Sequence, residues 1–390
     1  MGRFFIRRLF YSLLVICGVM FLTFLLFNLA AGDPAAAALG KNARPEEIEA
    51  LRHELGSDLP LFFGFRIRTE AFRRGAKPGV FVRSFPASGV MAEVRGKDGR
   101  KEVIGIGDDV NLFIPGRPED AVEASFFRMQ KNPFNSQFFR SFGEIVRFKR
   151  TFPYVEVFDF GRTLTTREPI RALLLRGMGP SLALMIPVFF GELALGVLLA
   201  LISAACRDRW PDRLLVVASV SFMSVSYLVL IIASQWLFGY RLGWFPLWGC
   251  DTPRHFLLPI ITGILFGVGG NVRFFRTVFI DELGKEYLRT AVAKGLPSCL
   301  VYGRHLLRNA ALQILTKAGS GLPFLFTGSL LLESFFGVPG LGFVGVDALY
   351  NSDIQLLKAV VILSSILFVF INFLTDLAYA WADPRVRIAG

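Results

Sequence analysis

The sequence predicts an all-α polytopic membrane protein. It has six transmembrane helices and a small α+β extracytoplasmic subdomain inserted between the first two. Three observations predict this. Of 390 residues 53% are hydrophobic and only 19% charged, outside the usual soluble range of about 45–50% and about 25%. The apolar residues gather into six long runs, and the basic residues gather at one set of run ends. A disordered chain is excluded by the hydrophobicity. Four Cys without a C-x-x-C spacing exclude a disulfide scaffold and a Cys-type zinc module.

A bilayer-spanning helix needs roughly 20 mostly apolar residues. Leu9–Ala31 has no charge and exceeds the h-region of a signal peptide, about 7–15 residues. It therefore reads as a retained first helix, although Ala30-Ala31-Gly32 resembles a cleavage site. The other runs are Pro180–Ala205, Leu214–Phe238, Phe256–Val272, Ala318–Val346 and Ala359–Thr375, the last continuing past Asp376 to Ala382. In the fifth, Gly337, Pro339, Gly340 and Gly342 interrupt the second half.

Orientation follows from charge. With the N-terminus in the cytoplasm, inside segments carry 16 basic residues, among them Arg7, Arg8, Arg213, Arg276 and Arg308. The short outside loops carry only Arg241 and Arg254, with Lys358 at a helix edge. This is the positive-inside asymmetry. Residues 32–179 hold 24 Lys/Arg against 19 acids, but long loops cross largely regardless of charge. Nucleic acid is thus not needed to explain the net charge of +12.

Within 32–179, Arg44–Leu55 predicts a helix: Pro45 suits the first turn, Glu46 and Glu47 the positive helix end. Met91–Arg95 and Lys101–Ile106 predict two strands around a Gly96-Lys97-Asp98-Gly99 turn. Asn135–Arg150 predicts an amphipathic helix with Asn135 as cap and Phe138, Phe142, Ile145 and Val146 on one side.

The main cytoplasmic feature is 281–317. Glu286–Lys294 predicts a helix with Tyr287, Leu288, Ala291 and Val292 on one side. Gly295 stands at a left-handed C-cap and Pro297 prevents continuation. Ser298–Ala310 predicts a second short helix. An exposed apolar helix side requires a receiving protein groove.

The chain has no G-x-x-x-x-G-K-[S/T], H-E-x-x-H or G-x-S-x-G, and His53, His255 and His305 lie on different segments, so no metal site is expected. Gly340–Gly345 fits G-x-G-x-x-G but follows a membrane helix rather than a strand. Its glycines are expected to allow a tight re-entrant bend or close packing. Glu192, Glu333 and Asp376 lie at membrane depth, where ionisable groups mark pathways or bond neighbouring helices. They keep open a proton-coupled secondary transporter as the alternative function. A membrane-anchored receptor using 32–179 would leave the cytoplasmic loop unexplained.

Several segments together resemble the inner-membrane permease subunits of bacterial ABC importers, in the dipeptide/oligopeptide/nickel family of binding-protein-dependent transport. They are Arg7-Arg8-Leu9 with Gly32-Asp33-Pro34, and Phe158–Leu164. Glu286–Leu296 with Arg308-Asn309-Ala310 is similar to the family's coupling loop. Gly328-Ser329, Glu333, Phe336 and Pro339–Gly342 resemble the fifth-helix region, and Asp376–Tyr379 with Asp383-Pro384-Arg385 the family's close. The resemblance covers roughly 1–60 and 150–388. In place of the general loop's E-A-A the chain has Arg289-Thr290-Ala291, and about 62–150 reads as an insertion, somewhat as in permeases that admit microcin-like peptides.

The resemblance implies a domain layout of 1–31, 32–179 and a permease core at 180–390, in a multi-pass protein of the inner membrane with both termini cytoplasmic. It implies a non-catalytic subunit, with peptide as the expected substrate class. The implied partners are a second homologous permease, two ATPase subunits, an external substrate-binding protein and membrane lipid. ATP and magnesium would be bound by the ATPases, leaving no cofactor in this chain. Glu286, Tyr287, Leu288, Ala291, Val292, Lys294 and Gly295 are the residues it implies for ATPase coupling.

Overall fold

A computed structural model describes residues 2–30, 34–40, 43–74, 80–85, 88–96, 101–105, 111–113, 121–143, 146–148, 155–157, 159–327 and 329–382. The chain divides into two compact units. One comprises Met1–Val19, Ala172–Tyr350 and Ala359–Gly390; the other comprises Met20–Arg171 and Asn351–Lys358.

The first unit holds the greater part of α1 (Gly2–Leu25), α5 (Ile170–Ala205) and α14 (Ile354–Ala382), whose remaining residues belong to the second, and all of α6 (Trp210–Ser224), α7 (Tyr227–Ser234), α8 (Pro253–Leu283), α9 (Glu286–Ala293), α10 (Ser298–Leu300), α11 (Leu307–Thr327), α12 (Leu330–Phe336) and α13 (Leu341–Tyr350). Among the described residues four helical stretches are long and apolar enough to cross a membrane: Phe5–Asn28, Ile170–Ala205, Pro253–Leu283 and Ile354–Ala378. Counting each of two bent pairs as one span gives up to six.

The bent pairs divide two of the six apolar runs. Leu214–Phe238 is not one straight helix: α6 and α7 meet at 98°. Val225 and Ser226 are extended there, with ψ of 131° and 138°. Apolar composition cannot reveal such a break. The run Ala318–Val346 is likewise divided among α11, α12 and α13, with a 78° bend between the last two. Gly337 has φ +66°, a left-handed cap that ends α12, and Pro339 follows. A sharp bend therefore stands at these glycines. Two buried clusters hold this unit. One joins Leu184, Ile231, Leu258, Leu332, Phe336 and Val338.

The second unit carries α2 (Pro34–Leu39), α3 (Pro45–Leu55) and α4 (Gln137–Gly143). Its strands are β1 (Arg66–Arg68), β2 (Phe72–Arg74), β3 (Val80–Arg83), β4 (Val90–Gly96), β5 (Lys101–Gly105), β6 (Asn111–Phe113), β7 (Ala121–Met129), β8 (Val146–Phe148) and β9 (Val155–Val157). They form antiparallel sheets β1-β7-β4-β5, β2-β3-β6 and β8-β9. The helix α3 agrees with the sequence: Pro45 opens it, the Glu47 carboxylate accepts from the Arg44 N–H at 3.1 Å, and Gly56 closes it at φ +72°. The β4–β5 pairing, Met91↔Gly105 through Arg95↔Lys101, is the expected hairpin, while its turn at 97–100 lies outside the described residues.

The expected Asn135–Arg150 helix is shorter. It starts at Gln137 and stops at Gly143, and Val146 pairs with Val157 in a sheet. Buried Ser136, not Asn135, faces its first turn, with the Phe139 N–H directed at its Oγ (3.4 Å). Asn135 bonds Gln130 instead. The β-branched Val146 and Val155 favour strand over continued helix.

Candidate functional site

The segment after α8 is a short capped helix. Glu286–Ala293 forms α9, and Gly295 takes φ +74°. The Gly295 N–H donates to the Val292 carbonyl (2.9 Å) and the Leu296 N–H to that of Ala291 (3.4 Å). These bonds close the helix with a left-handed cap. The predicted second helix, Ser298–Ala310, is not a separate piece. α10, a π-type turn at Val301–Leu306 and α11 run on as one helical stretch to Thr327.

The face of α9 needs correction. The sequence places Tyr287, Leu288, Ala291 and Val292 on one exposed apolar side. Leu288 is only 2% exposed, and Ala291 is also buried. Both belong to a cluster with Ala200, Ala204, Phe275, Phe279, Val301, Leu306 and Ala310, against which Tyr287 also packs. The chain itself fills that groove. What faces outward is Glu286, Arg289, Thr290, Lys294 and Val292, the last 62% exposed.

A buried carboxylate bolts α9 to α8. Glu282 accepts from Lys285 Nζ at 2.5 Å and from the Tyr287 hydroxyl at 2.7 Å. Burial pushes the Tyr287 phenol above its ordinary value, and its bond to Glu282 adds to the rise. Nothing in the sequence marks Glu282, because a carboxylate at a helix end looks solvated until its neighbours are known.

A second network was also invisible in the sequence. Arg276 of α8 grips Asp212 of α6 with both ends of its guanidinium, at 2.7 Å each. Ser203 of α5 donates to the same carboxylate, and the Asp208 N–H adds a bond at 3.0 Å. Three helices are pinned at one point. The sequence shows an Arg and an Asp 64 residues apart, and nothing in their spacing pairs them.

The three carboxylates expected at membrane depth differ in surroundings. Glu333 is fully buried. It accepts from Ser181 Oγ (2.8 Å) and from the N–H groups of Ser329 (3.1 Å), Gly342 (2.7 Å) and Phe343 (3.2 Å). It thereby satisfies the orphan donors at the start of α13. Gly340 completes this corner, since a Cβ there would strike Glu333 and Ser181. The glycines of the G-x-G-x-x-G run thus serve close packing. Glu192 is half-buried and lies against Gly267, where a Cβ would strike its carboxylate. Asp376 pairs with Arg8 at 2.7 Å, and Phe5 meets Phe373 edge-on at 5.4 Å. These contacts set the start of α1 and the end of α14 at one level.

Comparison with known proteins gives concordant results. Residues 196–388 match the family described as binding-protein-dependent transport system inner membrane component. Residues 1–76 match the N-terminal family of the same membrane components. The glutathione transport system permease protein GsiC of Salmonella paratyphi A is 32% identical over 284 residues, 72% of this chain and 89% of that protein. Its counterparts in Escherichia coli K12 and Shigella dysenteriae serotype 1 are 34% identical over 229 residues, 59% of this chain and 75% of theirs.

Proposed function

This chain belongs to the inner-membrane permeases of bacterial ABC importers, in the peptide/nickel family, and from that premise we propose that it conducts a short peptide. Permeases of this family are non-catalytic multi-pass subunits that work with a substrate-binding protein and ATPases. The reading beyond this is that the chain pairs with a second, similar permease and forms half of the pathway. It crosses the membrane six times, with both termini in the cytoplasm and 32–179 outside. The Arg8–Asp376 pair supports an even number of crossings, because it puts the first helix's start and the last helix's end at one face. A glutathione-sized peptide is the substrate class suggested by the relatives' names.

One observation carries the coupling role. The inner side of α9 is fixed to the membrane helices through Leu288, Ala291 and Glu282, while its outer side presents Glu286, Arg289, Thr290, Val292 and Lys294. An element held on one face and open on the other can pass a push from a partner ATPase into the bundle. Val292→Glu tests this. It should abolish peptide uptake and ATPase co-purification while the chain still inserts and folds. Normal uptake and co-purification in that variant would refute the docking face. Ala291→Glu is unsuitable, since it would bury a charge in the chain's own core. Competition uptake with di-, tri- and longer peptides, and with nickel, tests the substrate class.

A further inference from the structure

The second unit carries a chain of phenylalanine rings that starts on α1. Phe21 and Phe24 of that helix meet Phe62 at 6.1 and 5.5 Å and Phe138 at 6.2 and 5.3 Å. Phe138 meets Phe139 at 5.6 Å. Phe139, Phe63 and Phe134 then contact one another edge-on at 5.5 to 5.7 Å. Phe21 and Phe24 are part of the apolar span Phe5–Asn28. The first rings of the chain are therefore inside a membrane helix, and the last three are a trio exposed by 62% (Phe63), 58% (Phe134) and 40% (Phe139).

Depth decides what meets the trio. A helix rises about 1.5 Å per residue, so Phe21–Phe24 lies about 20–24 Å beyond Arg8. The hydrocarbon layer is about 30 Å thick. Phe21 and Phe24 therefore stand in the last two turns of the span Phe5–Asn28, Phe62 and Phe138 are one ring contact away from them, and the trio is joined to Phe138 through Phe139. Exposed Lys131 precedes Phe134 by a few positions, and exposed Arg140 follows Phe139 directly. Apolar rings edged by cations are the composition of a surface that enters the headgroup–acyl boundary.

We propose that Phe63, Phe134 and Phe139 form a lipid-embedded footing, by which this unit rests in the bilayer leaflet at the far end of α1 from Arg8. The occupant of this face is phospholipid. The helix that anchors the chain of rings ends at the same depth, and a membrane surface is what lies there.

The test is collision accessibility of nitroxide labels. Cys17, Cys206, Cys250 and Cys299 are first replaced by Ser. Single labels then go to Phe63, Phe134 and Phe139 in the assembled transporter, reconstituted in nanodiscs of phosphatidylethanolamine and phosphatidylglycerol. Leu22, a 67% exposed position on α1, is the lipid reference, and exposed Val103 on β5 is the reference within the sheets. Labels on the trio should approach Leu22 in their ratio of oxygen to water-soluble nickel collisions, and exceed Val103 several-fold. Nickel access equal to that at Val103 would place the trio in water and overturn the proposal. Exclusion of both colliders would mean a protein partner covers it, and would overturn it equally. Phe134→Trp, read by quenching with brominated lipids against the parent protein, checks that the label has not made the contact. Quenching should appear with bromines near the headgroup, and its absence counts against the footing.

Discussion

Gly295→Ala gives a clean measure of how α9 is held. Gly295 has φ +74°, and a Cβ built there meets nothing within 4 Å. Steric clash is therefore absent and the cost is that of the left-handed backbone alone, about 1–2 kcal/mol. That cost falls on an eight-residue helix closed by the two cap bonds from Gly295 and Leu296. Local opening of the segment should become about 5–30-fold more frequent. Hydrogen exchange by mass spectrometry on a peptide covering 286–294 reads this as a rate increase of the same size. Gly295→Asn should show a smaller increase, because Asn tolerates this conformation better than Ala. Peptide uptake should fall in the same order, with the amount of inserted protein unchanged. Unaltered exchange in Gly295→Ala, or an Asn variant that opens as readily as the Ala variant, would refute the reasoning.

Other outcomes follow from the same geometry. Asp212→Asn leaves the Arg276 guanidinium without its charge partner and should cost about 3–5 kcal/mol, seen as a lowered melting temperature in detergent. An Asp212→Asn, Arg276→Met double variant should recover part of it. Gly340→Ala should strike the Glu333–Ser181 corner and reduce folded yield on size exclusion, whereas Gly270→Ala, with open space at its Cβ, should not. Tyr287→Phe removes one of two donors to buried Glu282 and should cost about 1–3 kcal/mol. Its pH signature has a fixed sign. The folded phenol is raised, so its contribution is complete below about pH 10, the unfolded value, and is lost as pH climbs beyond that. The parent should therefore lose more stability than Tyr287→Phe in an alkaline titration of unfolding.

Much of the local structure was legible in the sequence, because capping chemistry is local. Pro45, Glu46 and Glu47 mark the start of α3, and Gly295 with Pro297 marks where α9 stops. What was not legible depends on partners. The period of Tyr287, Leu288, Ala291 and Val292 finds an apolar side but cannot say that Val292 is turned away from it, nor whether the chain or another protein covers it. Two of the four turned out to be buried against Phe275 and Phe279. The α6–α7 break lies in an uncharged run, where Ser224 and Ser226 flank Val225 but no charge, Gly or Pro marks a boundary. Val146 carries a helix-compatible spacing, yet its strand partner, Val157, lies beyond the reach of any local window. The pairing of Arg276 with Asp212 is of the same kind.

The lower end of α8 connects these separate findings into one mechanical path. Phe275, Phe279 and Glu282 recur at helical spacing and share a face. The two rings pack in the cluster that holds Leu288 and Ala291, and Glu282 reaches Tyr287. Arg276, one position on, holds Asp212 of α6 and the Ser203 side of α5. Only Gly284 and Lys285 separate α8 from α9, and so short a link could act as a free hinge. The Glu282–Tyr287 bond spans that link and opposes hinging. A displacement of α9 would then carry the end of α8 with it, and through the bidentate Arg276–Asp212 pair it would carry α6 as well. Each connection is needed, for a lever tied at one end only would turn without moving the helices.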